Sequence, residues 1–260
     1  MDLHLKDRVA IVTGGSRGLG RAICLGLAAE GVRLAVNYYR DLAQGIDLAD
    51  EAAALAEEIR RLHDVPALPV PGNVARPEDI RPLFDLAETT LGPVDILVNN
   101  AAVWPTAFVK DMTDEEWNTT LAVNLTGPFR TCREAVCRWL ATGRRGRIVN
   151  IVSQAAFHGS TSGHAHYASS KGGLVNFTVS LAREVAAQGI HVNAVAPGMI
   201  ATGMSREALD TDRNRYLERI PLRRIADPAE VADVVTFLAS DRAGYMTGAT
   251  VDVTGGMLMR

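Results

Sequence analysis

Residues 8–20 read Arg8-Val9-Ala10-Ile11-Val12-Thr13-Gly14-Gly15-Ser16-Arg17-Gly18-Leu19-Gly20, and this stretch decides the fold. A short β-branched run ends in a glycine-rich turn, and a helix-like segment, 18–30, opens directly on it. A continuous apolar run of this length suits a strand buried on both faces of a parallel sheet. In the turn, Gly14 permits a tight reversal, Gly18 lets the backbone approach a pyrophosphate, and Gly20 lets the helix pack closely on the strand. The helix start adds unpaired N–H groups and the positive end of a dipole. The spacing is Gly-xxx-Gly-x-Gly, not the Gly-x-Gly-xx-Gly of the standard dinucleotide fingerprint. By itself it is also readable as a plain β–α turn.

The pattern continues outward. Strand-like runs stand at 8–12, 34–37, 67–70, 94–99, 147–152, 190–195 and 250–253. Helix-like stretches lie between them at 18–30, 42–62, 77–90, 114–140, 166–187 and 228–239. Thr113 with Glu116 reads as a capping box, and Asp227-Pro228 marks another helix start. Seven strands interleaved with about six helices predict one α/β domain over 1–260. It is a Rossmann-type, doubly wound fold whose seven-stranded parallel sheet carries helices on both faces. The acidic, alanine-rich stretch 42–62 is long for a crossover and reads as an extended helix, or a loop plus helix. Residues 199–222 are polar and poorly periodic, and a long connection at the carboxyl edge of a sheet suits a substrate lid.

Bulk properties narrow the function. A formal net charge of -3 gives no electrostatic case for nucleic acid. No apolar run is long enough to span a bilayer, and the polar start, 1–8, has no apolar signal core. Cys24, Cys132 and Cys137 form no CxxC pair, so a reducing compartment and a cytoplasmic protein are expected. His158, His164 and His166 have no accompanying carboxylate or cysteine cluster, so no metal is expected. They read as lining of a substrate pocket or as loop surface.

The end of the second strand selects the nucleotide. A site for NAD(H) places a carboxylate about 20 residues after the glycines, on the ribose hydroxyls. Here the residues are Asn37-Tyr38-Tyr39-Arg40, with no acid before Asp41. Arg17 and Arg40 suit a 2′-phosphate, which favours NADP(H). As solvated surface arginines they would leave NAD(H) open, and Asp41 is the residue that would reverse the preference.

Further along, Asn99-Asn100-Ala101, Asn124, Ser153, Tyr167-xxx-Lys171 and Pro197-Gly198 follow the glycine turn in order. Tyr167 and Lys171, four apart, share a helix face, and an ammonium beside a phenol favours the phenolate. Tyr167 then suits a general acid or base. Ser153 ends a strand at the carboxyl edge, where ligands gather. Each residue has a plainer reading: Ser153 caps the next turn, Tyr167 is a helix tyrosine beside a snorkelling Lys171, and Asn124 back-bonds within its helix.

Taken together, and spanning about Leu5 to Met259, the set resembles the classical short-chain dehydrogenases/reductases. It is most similar to the 3-oxoacyl-acyl carrier protein reductases, with Ser180-Leu181-Ala182-Arg183-Glu184-Val185 and Thr254-Gly255-Gly256-Met257 adding to the likeness. The resemblance implies an oxidoreductase moving a hydride between nicotinamide and a carbonyl or alcohol. It assigns Tyr167 as acid/base, Lys171 to the nicotinamide ribose as well, Ser153 to the substrate oxygen and Asn124 to a water in the proton relay. Cofactor contacts are implied at Gly14, Ser16, Arg17, Gly18, Leu19, Gly20, Tyr39 and Arg40. Asn73 and Val74 would flank the adenine, and Asn100 and Ala101 the pyrophosphate-to-ribose path. Pro197, Gly198, Ile200 and Thr202 would hold the carboxamide. Ala102 departs from the family's usual glycine, and Asn73 from its usual aspartate.

The resemblance also implies a homotetramer joined through the long helices, where Phe129, Val136, Phe177 and Leu181 divide between interface and core. A 3-oxoacyl thioester is the implied substrate, with a sugar, polyol or other small secondary alcohol as the alternative. A non-catalytic cofactor-binding scaffold or sensor is the alternative of another class. Family members dock an acidic carrier protein through basic residues near the active-site mouth. Arg144 and Arg145 match one such position, but Gln188 stands at the other, which puts docking in doubt. Specificity would sit in 155–166, with Trp104 beside it, and in the lid.

Overall fold

The computed structural model describes residues 2–41, 45–160 and 162–259. The first strand, β1 (Val9–Val12), is buried at every position. Its side chains alternate between the two faces of the sheet, as a period of two requires. Ala10 and Val12 join one core cluster, Val9 and Ile11 the other. β1 pairs in parallel with β2 (Arg33–Tyr38) on one side. It pairs with the strand Ile96–Asn99 on the other.

In chain order the remaining strands are β3 (Arg40–Asp41), β4 (Ile46–Asp47), β5 (Ala67–Pro71), β6 (Ile96–Asn99), β7 (Gly146–Ile151), β8 (Ile190–Pro197) and β9 (Thr250–Val253). Seven of them form one sheet in the order β5-β2-β1-β6-β7-β8-β9. All its pairings are parallel. The expected doubly wound sheet is present. The order reverses between β1 and β6, and a crevice at such a switch point is where ligands bind.

Helices cover both faces. On one side α1 (Gly18–Ala29) and α2 (Ala49–His63) pack with the last long helix, Pro228–Ala239, through Ile23, Leu27, Leu55, Ile59, Val231 and Val235. On the other, α3 (Pro77–Leu91) and two longer helices, Gly127–Thr142 and Ala165–Val185, share a core around Phe84, Trp139 and Leu181. Trp139 is fully buried and its indole donates to the Val94 carbonyl at 2.7 Å. Removing a ring so placed costs about 3–5 kcal/mol.

The structure corrects two segments. Residues 114–140 are not one helix: α4 (Asp114–Leu121) passes through a π turn (Ala122–Thr126) into α5 (Gly127–Thr142). Pro128 has no N–H for the carbonyl four residues back, Asn124, so the α pattern cannot run through. The irregular segment 199–222 instead contains α8 (Arg206–Arg219), kinked at Asp212 and burying only Leu209. With one buried side chain in fourteen residues, its sequence shows no apolar period. The stretch 42–62 follows the loop-plus-helix reading: β4, paired antiparallel with β3, leads into α2, while residues 42–44 lie outside the described ones. A short α6 (Ala155–His158) precedes α7 (Ala165–Val185), and both predicted helix starts are full capping boxes, the second, at α9 (Pro228–Ala239), completed by Glu230. Among the described residues no helix is long and apolar enough to cross a membrane.

Candidate active site

The glycine turn is built as its sequence requires. Gly14 and Gly18 have positive φ, 59° and 56°. A Cβ on Gly20 would lie 2.1 Å from the Gly14 carbonyl, so only glycine lets α1 start there. The Asn37 side chain at the end of β2 accepts the Gly14 N–H at 3.2 Å. Asn100 donates to the Thr13 and Gly14 carbonyls, both at 3.0 Å, and Thr13 Oγ1 accepts the Asn100 and Ala101 N–H groups. Asn100 and Ala101 thus lie against the turn. Arg17 caps α1 with backbone alone, and the first turn carries no acid. The N-terminal N–H groups and dipole are left for an anion, and a Cβ on Gly18 would meet only Thr202, at 3.6 Å. These residues fit a dinucleotide pyrophosphate.

The strands β7 and β8 and the helix α7 bring the second group together. Ser153 follows β7, and its Oγ accepts the Ala155 N–H at 3.1 Å while lying close enough to bear on the Tyr167 phenol. The capping role and the place beside Tyr167 therefore coexist. Lys171 is 2 % exposed, donates to the Ile151 carbonyl at 2.7 Å and lies 5.7 Å above the Tyr167 ring. Asn124 is fully buried in the π turn. Its amide donates to the Val103 carbonyl at 2.9 Å and to Ser170 Oγ at 3.3 Å, while its oxygen accepts the Val103 N–H. Both amide hydrogens are committed, so the side chain braces the loop after β6.

Electrostatics here differ from the expectation. Burial pushes the Tyr167 phenol up, and the hydrogen bond with Ser153 pulls the other way. Burial also brings the Lys171 ammonium down, to about 7. Desolvation is the largest cause for both groups. Trp104 covers the site, its ring 4.6 Å from His164 and 6.2 Å from Tyr167.

The histidines are not loop surface alone. His164 is buried, with Nδ1 bound to the Pro105 carbonyl at 2.8 Å, and of His158, His164 and His166 only the first is exposed. His166 is wholly buried, and neither ring nitrogen has a partner among the described residues.

Other predicted contacts converge on the same edge. Asn73 accepts the Ala75 N–H at 2.9 Å, and Val74 packs where a Cβ on Gly127 would intrude. Gly198 follows Pro197 and donates to Val253 at 2.9 Å, and Ser205 bonds both the Ile200 carbonyl and the Thr202 N–H. Ser16 and Leu19 are turned inward, whereas Arg17 is exposed. At the end of β2, Arg40 pairs with Asp47 at 3.3 Å, and the nearly buried Asp41 accepts from Tyr39 at 3.3 Å and Arg76 at 3.1 Å. Sequence reasoning missed Asn37, Arg76 and Ser205. A lone asparagine closing an apolar strand was the available signal for the first, and nothing local marked the others.

Known proteins agree with this geometry. A family model described as Enoyl-(Acyl carrier protein) reductase matches residues 14–258. The 3-oxoacyl-[acyl-carrier-protein] reductase of Escherichia coli is 40% identical over 258 residues, covering 99% of this chain and all of the relative. That of Staphylococcus epidermidis is 38% identical over 253 residues, covering 97% and 100%. A short-chain type dehydrogenase/reductase from Mycobacterium marinum superposes with a TM-score of 0.92 at 30% identity, covering 100% of this chain and 98% of that one. The chain belongs to the short-chain dehydrogenase/reductase family.

As a short-chain dehydrogenase/reductase it is a nicotinamide-dependent oxidoreductase acting between carbonyl and alcohol, with NADP(H) as its cofactor. No cluster of metal-ligating side chains occurs among the described residues. The basic positions matched to carrier docking lie elsewhere. Arg144 and Arg145 precede β7 and Gln188 precedes β8, at the amino edge of the sheet, opposite Ser153. Arg144 is paired with Asp95 at 2.7 Å.

Proposed function

We propose that this enzyme reduces the ketone of a 3-oxoacyl thioester with NADPH, and that Tyr167, Lys171, Ser153 and Asn124 form its chemical centre. The observation that carries the reading is the placement of Ser153, at the carboxyl edge of β7, close enough to bear on the Tyr167 phenol, with Lys171 buried one helical turn on. NADPH supplies the hydride when bound across the glycine turn. Ser153 holds the ketone oxygen and Tyr167 donates a proton to it as the alkoxide forms. Burial keeps Tyr167 protonated, which is the state a donor needs. Lys171, titrating near 7, returns the proton to the phenolate. Asn124 fixes the loop over the site and so helps to hold the water that links Lys171 to solvent.

Three further features belong to this reading. The chain is one domain, and 199–222 closes over substrate on α8. A cavity of about 320 Å³ beside that segment is lined by Met199, Ile220 and Leu222 together with Arg224, Glu230 and Asp252. Phe129, exposed and edge-on to Phe177, is the interface residue of a homotetramer, whereas Val136 and Leu181 are core. The protein works in the cytoplasm, in keeping with three free thiols.

A panel of 3-oxoacyl thioesters, 2-enoyl thioesters and polyols with NADPH, NADH, NADP and NAD tests this. Consumption of NADPH with 3-oxoacyl thioesters is expected. Turnover confined to enoyl thioesters or polyols would refute the substrate class. Sedimentation as a stable monomer at micromolar concentration would refute the tetramer.

A further inference from the structure

The end of β2 contains an arrangement that ordinary nicotinamide chemistry does not require. Asp41 is 5 % exposed yet carries a carboxylate, and it stands 21 residues after Gly20, at the position from which an acid meets a ribose. Its oxygen Oδ2 is taken by the Arg76 guanidinium at 3.1 Å and by the Tyr39 hydroxyl at 3.3 Å. Burial and the Asp41 charge together push the Tyr39 phenol up, so it remains a donor. Arg76 comes from the loop between β5 and α3 and is about half exposed. It lines a cavity of about 550 Å³ together with Arg40, Asp41, Gly72 and Asp79. Asp79, the other acid in that wall, accepts the Asn73 N–H at 2.8 Å. Both carboxylates therefore hold protein groups, while two guanidiniums from different elements border one space beside the adenosine end of the cleft.

We propose that Arg76 is a specificity residue for the 2′-phosphate of NADP(H), set in place by Asp41, which acts as its strut and not as a ribose ligand. The inference rests on the NADP(H) reading and deepens it. A carboxylate aimed at the ribose repels a 2′-phosphate, whereas one bound to a guanidinium is neutralised and fixes the remaining N–H groups of that fork in direction. A nearly buried Asp41 released from Arg76 would favour the 2′-hydroxyl instead. Arg76 thus contributes twice, attracting phosphate and masking the acid that would select against it.

The test separates the phosphate from the rest of the cofactor. Binding of 2′,5′-ADP and of 5′-AMP is measured by calorimetry on the wild-type protein and on Arg76→Leu, Arg76→Lys and Asp41→Asn, each checked for an unchanged thermal transition. Wild type should prefer 2′,5′-ADP by at least about tenfold, the worth of one charge-assisted contact. Arg76→Leu should lose most of that preference while 5′-AMP affinity stays within about twofold, Arg76→Lys should lose part of it, and Asp41→Asn should lose less than Arg76→Leu. A wild-type preference that survives Arg76→Leu intact would overturn the role of Arg76 and leave the NADP(H) reading standing. Absence of a preference in the wild type would overturn both. Should Arg76→Leu not fold, the Arg76→Lys ratio decides alone, and an unchanged ratio there counts against the proposal.

Discussion

The two ends of the cleft solve opposite problems. Around Tyr167 the ionisable groups are buried and few: Lys171 has a carbonyl and a tyrosine ring for company and, among the described residues, no paired carboxylate. At the end of β2 charges are paired several deep, Arg40 with Asp47 and Arg76 with Asp41. Where chemistry must occur, desolvation brings a lysine to about 7 and holds a phenol protonated. Where a fixed anion must be recognised, charges are kept and matched. The contrast says that the reactive end has been built at the expense of stability, and the recognition end has not.

Lys171 puts the largest strain on that contrast. A lysine lowered in the folded state leaves stability intact above its unfolded value near 10.4 and removes it as pH falls toward 7. Lys171→Met should therefore cut turnover by about 10²–10⁴. It should also raise the melting temperature at pH 6, at about 2–4 °C per kcal/mol recovered. A melting temperature that falls at pH 6 would break the comparison.

Next in size, Gly20→Ala forces a methyl into the Gly14 carbonyl. It should weaken NADPH binding by about two orders of magnitude by displacing the helix N-terminus, as read by cofactor fluorescence. Wild-type affinity in this variant would show that the turn does not hold the pyrophosphate.

His166 sharpens the picture at smaller scale. Burial, then His164, lower its pKa, with Glu116 opposing. Its neutral form is stable above about 6.5, and folding stability is lost as pH drops below that toward the lowered folded value. His166→Leu should flatten the melting curve between pH 7 and 5. The flattening should be partial, since His164 and His191 are lowered too. An unchanged slope would mean that His166 is hydrated in solution.

Smallest is the lid. Leu209 is the one side chain α8 buries. Leu209→Ser should raise KM a few-fold and leave kcat within about twofold, the pattern of lost uniform binding. An equal loss in kcat would place α8 in the chemical step.

Legibility follows the same division. β1, α1 and the Tyr167–Lys171 spacing were readable because their constraints are local: a glycine with no room for Cβ, two side chains one turn apart. The five inner strands were readable because burial on both faces leaves continuous apolar runs. α8 was not, since a helix with one buried residue writes no period. The π turn escaped because Pro128 acts on a carbonyl four residues earlier, inside an otherwise good helical pattern. Arg76 escaped because its partner lies 35 residues away in sequence. The carrier-docking positions were aligned by resemblance, and only the sheet showed that they stand at its amino edge.

The most direct test of the account is Tyr167→Phe, measured for binary NADPH binding and for single-turnover hydride transfer to a 3-oxoacyl thioester. The chemistry assigned to the hydroxyl predicts NADPH affinity within about twofold of wild type and a hydride-transfer rate lower by about 10²–10⁴. Hydride transfer at the wild-type rate in Tyr167→Phe would contradict it.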